Sequence, residues 1–381
     1  MINIIKNELS KLYHRKKLLS MVLTMAIVTF GFMFIINLDS GQNRYNKDLD
    51  FINRLKTQSS NLTDGAEKDD IDSRIETMQK SLDFYDNLQN DNFDWKQYLQ
   101  DENDNLEQSS YNDTKDAQIS INNYLIDNNI KPLSSLSMDS NAFFLTYLKV
   151  LGKVLMFIII ALTLSDCIAS EYTNNTIQLI LLRPVSKFKL ILGKLIANCI
   201  AVISCVISFD FIAYISSGLL WGFGSLKTPQ LVFAKFTSST TLNTTYNQFI
   251  SPIDNTASYI SAGDLIFKAI LLQLLFAICC ICFCTLTSLL FKNTLTAISI
   301  NVLFPILTLL ISLSSTFNEM KKSLCYLFSF LGDSVSIIDR SIITSTGACF
   351  LTYNFAILVI TAWIIVFILL MYLCRNKLKA K

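Results

Sequence analysis

The chain has a single histidine, His14. A hydrolytic Ser–His or Cys–His pair would have to be completed by that one N-terminal ring. Neither G-x-x-x-x-G-K-[ST] nor G-x-G-x-x-G occurs, so the sequence holds no phosphate loop of either kind. No apolar run carries the two carboxylates of an intramembrane aspartyl protease, because Asp210 stands alone in its run. Cysteine is absent from residues 39–144, which must therefore be held by packing alone. Elsewhere the group Cys279, Cys280, Cys282 and Cys284 has no carboxylate or histidine beside it and points several ways around a helix. It reads as buried apolar cysteine, not a metal centre. Cys325 and Cys349 share one connection between spans, expected outside, where a disulfide between them and two free thiols are both open. Glycine (11) and proline (5) are scarce beside abundant Asn, Lys and Ile, a composition associated with AT-rich bacterial genomes.

Charge is sparse as well, at 16% of residues. What fills its place is long uncharged runs: Leu18–Leu38, Ala269–Phe291, Asn293–Asn318 and Ser341–Cys374. A helix crossing the ~30 Å hydrocarbon layer needs about 20 such residues. Two less clean runs add to them, Phe143–Ser165 with Lys149 and Lys153, and Leu195–Ile215 with Asp210. Six transmembrane helices follow, at 18–38, 145–168, 195–215, 265–291, 294–314 and 353–374. The runs are too long for barrel strands, so the fold class is an all-α membrane protein. The first run is longer than the apolar region of a signal peptide and no small-x-small cleavage site follows it, so it is expected to stay as an anchor.

Charge, though sparse, is unevenly placed. Residues 1–17 carry Lys6, Lys11, Arg15, Lys16 and Lys17 against Glu8 alone. Residues 39–144 hold 21 acidic and 10 basic side chains. Arg183, Lys187, Lys189 and Lys194 lie in the 169–194 connection, Lys292 between the fourth and fifth spans, and four cations in the 375–381 tail. Lys and Arg next to span ends mark the cytoplasmic side. Six alternating spans put all four basic segments on one side, so both termini are expected inside and 39–144 outside. The protein is therefore expected in the cell membrane as a multi-pass chain.

The connections have patterns of their own. In residues 1–17, Ile5, Leu9, Leu12 and Tyr13 share a helical face, as in an amphipathic helix lying in the membrane interface; a simple extension of the first span is the alternative. Within 39–144, Ile71, Ile75, Met78, Leu82 and Tyr85 recur at spacings of four and three, and Tyr45, Leu49, Ile52 and Leu55 form a similar stripe. These predict a helical hairpin followed by shorter helices around 95–106 and 117–126. The 216–264 connection is polar and reads as a loop. The 315–352 connection contains an apolar piece, 323–331, too short to span and suited to dipping into the membrane without crossing. Asp210 sits about 22 Å along its helix from the basic end. An ionisable group inside a span is a functional candidate by default, so Asp210 is either a lining residue of a pathway or a hydrated or paired group near the interface.

Between the second and third spans stands "EYTNNTIQLILLRPVSKFKLILGK". Glu171, then Thr176–Ile177, then Leu182–Arg183–Pro184–Val185–Ser186, then Gly193–Lys194 together resemble the coupling stretch of ABC-2 type permeases, the transmembrane subunits of ATP-binding-cassette exporters. The resemblance extends more loosely to the whole plan; it departs at Asn174–Asn175, where many relatives have glycine, and in the long 39–144 segment. It implies that Glu171, Thr176, Arg183, Pro184 and Lys187 couple the chain to cytoplasmic ABC ATPase subunits. It also implies that ATP and magnesium belong to those partners and none to this chain, that two permeases pair as a homodimer or heterodimer, and that the chain is not itself a catalyst. Independently, a permease without a nucleotide site must receive work mechanically, and Pro184 is placed to stop a short helix at Thr176–Leu182. Relatives of this plan carry peptides, lipids, drugs and ions. The acidic 39–144 segment favours amphipathic cationic peptide by long-range attraction. Nothing indicates nucleic acid. A membrane sensor or envelope-organising protein with a helical ectodomain is the alternative, and it has no use for the Arg-Pro-Val-Ser stretch.

Overall fold

The computed structural model describes residues 1–62, 65–108, 114–174, 176–178, 185–243, 248–314 and 318–378. Helix α1, Ile2–His14, turns through Lys16, whose left-handed φ of 56° reverses the chain into α2, Lys17–Leu38. Only Met21, Met25, Thr29 and Met33 of α2 are buried. That four-residue spacing is one narrow stripe on the bundle, and the remaining apolar faces are left for lipid.

Six described helices are long and apolar enough to cross a membrane: Lys17–Leu38, Ser140–Thr173, Lys187–Trp221, Ala262–Leu290, Thr294–Leu313 and Tyr353–Lys377. The second and third are longer than hydropathy alone predicts because caps end them. Asp139 accepts from the Ala142 amide at 2.7 Å, and the Ser186 hydroxyl accepts from the Lys189 amide at 3.4 Å. Inside the bundle, Asn301 of the fifth span is fully buried and donates to Ser165 at 2.7 Å and Thr287 at 2.8 Å, so it joins three spans.

At one end of the bundle stands a separate helical unit. Helices α3 (Gly41–Ser60) and α4 (Ala66–Gln89) form the expected hairpin, closed by Ile52, Leu82, Tyr85 and Leu136 with Tyr45, Ile75 and Met78 against them. Leu49, placed on that stripe by spacing, is exposed instead. Helices α5 (Trp95–Gln108) and α6 (Lys115–Asp127) pair beside it, with Asn122 donating to Asn103 at 2.9 Å.

The expectation of an all-α chain needs one correction. Residues 229–261, read as loop, contain two antiparallel ribbons: β1 (Pro229–Val232) with β4 (Ser258–Ser261), and β2 (Phe236–Asn243) with β3 (Gln248–Pro252). The run of Thr and Ser in β2 suits a pleated, half-wet surface. Tyr259 of β4 meets Tyr124 of α6 at 5.3 Å between ring centres, so the ribbon touches the helical unit.

The 318–351 segment enters the bundle near this same end. Phe328 stacks on Phe304, tilts against Phe157 and Phe283 and meets Phe367 edge to face, residues of the fifth, second, fourth and sixth spans, at 5.3–5.7 Å. Gly332 meets Gly152 backbone to backbone: a Cβ added at Gly152 would lie 2.1 Å from the Gly332 carbonyl oxygen. Gly152 belongs to a single π turn, Leu151–Leu155, within the second span. Lys149 pairs with Asp339 at 2.9 Å and Lys153 with Asp333 at 4.0 Å, so the two lysines of that span are held by this segment. Cys325 and Cys349 are free thiols.

Candidate functional site

The opposite end of the bundle collects α1, the junction of the second and third spans, Lys292 and the chain's C-terminal turn. Helix α1 packs on the third span at Gly193, where a Cβ would sit 2.6 Å from Ile4 Cγ2. The missing side chain lets the two helices close up, and their polar residues then meet. Lys194 Nζ lies 2.6 Å from Glu171 Oε1 and 2.8 Å from Glu8 Oε2; Lys11 Nζ lies 2.7 Å from Glu8 Oε1 and 3.2 Å from Glu171 Oε1. Two carboxylates and two ammonium groups thus form a closed, charge-balanced quartet. It is largely out of water, with Glu171 and Lys194 only 1% and 2% exposed. Burial works against the charged form of Glu8, yet Lys194 and Lys11 outweigh it and hold that carboxyl below the usual glutamate range.

Further ties surround the quartet. Arg15 donates to Ser170 Oγ at 3.0 Å, Lys17 pairs with Asp166, and Ser288 of the fourth span accepts from the amides of Ile168 and Ala169 at 2.9 and 3.0 Å. Tyr172 donates to the Lys377 carbonyl at 3.1 Å, and Lys292 lies 5.4 Å above the Tyr172 ring. The first, second, third, fourth and sixth spans and α1 are therefore connected at this end by polar contacts.

The residues expected from the sequence distribute as follows. Glu171 is at the centre of the quartet, where it is too buried to touch a soluble partner directly. Thr176 is half-buried and closes the turn after it, its amide donating to the Glu171 carbonyl at 3.0 Å. Lys187 is half-buried and donates to the Leu378 carbonyl at 2.6 Å. Arg183, Pro184 and most of the anticipated Thr176–Leu182 helix lie outside the described residues. Asp210 is not part of this group: it stands about 24 Å up the third span from Lys194, at 1.5 Å per residue. There it is buried beside Gln273 of the fourth span, with 3.5 Å between Oδ1 and Nε2.

Sequence reasoning missed Glu8, Lys11 and Arg15 as partners of the coupling stretch. The signal was present in part: Glu8 is the one acid among five cations, and Lys194 closes the motif immediately before the apolar run. Pairing them required knowing that α1 folds back onto the third span.

A protein-family model described as "ABC-2 family transporter protein" matches residues 2–377. No curated protein and no solved structure matches this chain.

Proposed function

Because this chain belongs to the ABC-2 family of transporter proteins, a family whose members are generally non-catalytic membrane permeases that typically work with an ABC ATPase subunit, we propose that it is the permease of an ATP-driven exporter. In this reading two permeases, identical or related, pair with two cytoplasmic ATPases that hold the ATP and magnesium. The end bearing α1 and the quartet faces the cytoplasm, as the distribution of Lys and Arg favours, and residues 39–144 face outward.

The observation that carries the reading is the quartet. It fastens the stretch after the second span to α1 and to the start of the third span through buried ion pairs. A soluble motor pressing on the 175–186 stretch would therefore push on several helices at once. Glu171 and Lys194 tie together the helices on either side of that stretch, while Arg183, with a planar fork of donors suited to a carboxylate or backbone partner, is the docking side chain. The carried substrate is an amphipathic cationic peptide, favoured by the acid-rich outer segment.

The test is co-purification with a cytoplasmic ABC ATPase. The complex should hydrolyse ATP and the isolated chain should not; hydrolysis persisting in the isolated chain would falsify the permease reading. Arg183→Ala should leave the amount of inserted protein unchanged and lower the ATPase recovered with it by about tenfold or more, as expected for an interfacial contact worth ~2–5 kcal/mol. Full recovery would remove Arg183 from the interface. Lys292 is unsuitable as a neutral control because it lies on the Tyr172 ring.

A further inference from the structure

Asp210 lies at the wall of a groove between the third and fourth spans. The groove is about 380 Å³ and is lined by Phe144, Ile207, Phe211, Tyr214, Ile266 and Phe267 among others. The lining is almost wholly apolar, and Phe211 and Phe267 at its mouth are exposed on the outer surface of the bundle. Asp210 is the one acid in it.

That acid is poorly provided for. It is 4% exposed, its Oδ2 has no hydrogen-bonding partner, and among the described residues no ion pair involves it. Its neighbour Gln273, 1% exposed, spends its amide nitrogen on Asp210 Oδ1 at the long distance of 3.5 Å, and its own Oε1 is also without a partner. Two buried acceptor oxygens, on side chains that touch, are thus without a donor, although buried polar groups are ordinarily paired. Glu171 also has one buried oxygen, Oε2, without a partner, but its Oε1 meets two lysines, whereas Asp210 meets none; Asn301, Thr287 and Ser165 bond to one another. The hydroxyl of Tyr214, which also lines the groove, is already donated to Asn141 at 3.2 Å.

We propose that this groove binds a primary alkylammonium ligand, its head donating to Asp210 Oδ2 and Gln273 Oε1 and its tail lying along the aromatic lining. A primary ammonium offers three donors and a positive charge, which are the two things this pair lacks. Phe144, Phe211, Tyr214 and Phe267 supply rings against which a desolvated cation and its chain can rest. A quaternary ammonium brings the charge without donors and fits less well; a neutral alcohol brings one donor and no charge. The inference deepens the permease reading by assigning the substrate head group a place in the membrane. It rests on that reading for its consequence in transport, and binding itself is tested on the isolated chain.

The experiment uses the full chain in phosphatidylcholine nanodiscs, which contain no primary amine, and a dodecylammonium probe with a photoactivatable diazirine near the head of its chain. Irradiation should label peptides containing Phe211 and Phe267. Asp210→Asn should lower that labelling at least tenfold, Asp210→Glu should restore part of it, and the dodecyltrimethylammonium analogue should label several-fold less than the primary amine. The matching alcohol should label weakly and equally in all variants. Ile270→Trp, which fills the groove and leaves the carboxylate in place, should also abolish labelling, so the result does not depend on one substitution folding well. Equal labelling of wild type and Asp210→Asn, or equal labelling by amine and alcohol, would overturn the site. Phosphatidylethanolamine added to the discs should leave the labelling in place; competition at membrane concentrations would assign the groove to a lipid amine and overturn its assignment to a transported ligand. The same probe added to the complex with its ATPase reads the other proposal separately: labelling without any ATP hydrolysis keeps the site and removes the permease reading.

Discussion

Lys194 stands between two carboxylates with almost no water around it, so its removal leaves Glu8 and Glu171 facing Lys11 alone. Lys194→Met should destabilise the protein by about 3–5 kcal/mol, the usual penalty for an orphaned buried charge. Adding Glu171→Leu should restore most of the loss, because one acid and one base then remain. Thermal unfolding of the three proteins in one detergent checks this; a double variant as unstable as the sum of the singles would mean the quartet is not a unit. Glu8 adds a pH dependence of definite sign. Its carboxyl is held below the ordinary glutamate value of 4.5, so its contribution is complete above that pH and fades as pH falls beneath it. The loss of α1 from the third span on acidification should therefore begin below pH 4.5. Of these residues Glu171 and Lys194 were legible from the sequence, through their places in the family's coupling stretch; their role as a buried tie was not, because a one-dimensional pattern does not say which helix folds back on which.

Among the elements, the spans were legible because apolar length is a local property. Helix α1 and the α3–α4 hairpin were legible because amphipathic spacing is local too. The β ribbons of 229–261 were not, since short runs rich in Thr and Ser read equally well as loop, and pairing is decided by partners up to 32 residues apart, as in Pro229 with Ser261. The burial of 318–351 was legible only as an apolar piece too short to cross. What fixes it is the contact of Gly152 with Gly332, two residues without side chains that carry no pattern at all. Gly152→Ala should force the π turn and the inserted segment apart and cost about 1–3 kcal/mol. It should also raise the reactivity of Cys325, now fully buried, towards a maleimide. Unchanged Cys325 reactivity would show that the segment is held by Phe328 and its aromatic neighbours without help from the glycines.

For the whole molecule, orientation is the property on which the proposed function depends, and charge placement along the chain is what argues for it. A cysteine at Ser60, an exposed position on α3, should react with an impermeant thiol reagent added to intact cells, and one at Ser186 should not. Cys349→Ser should be the background, since that native thiol is partly exposed. The reverse pattern would invert the protein in its membrane and separate the quartet from any cytoplasmic motor. The quartet also orders events in time. Glu8 and Lys194 are 186 residues apart in the chain. At about 5–20 residues per second, a ribosome delivers the second roughly 10–40 s after the first. Throughout that interval α1 has no lysine from the third span to close on, and it must wait at the membrane surface on its apolar face alone. A chain arrested before Lys187 should therefore leave α1 open to protease, and one released after the third span should protect it.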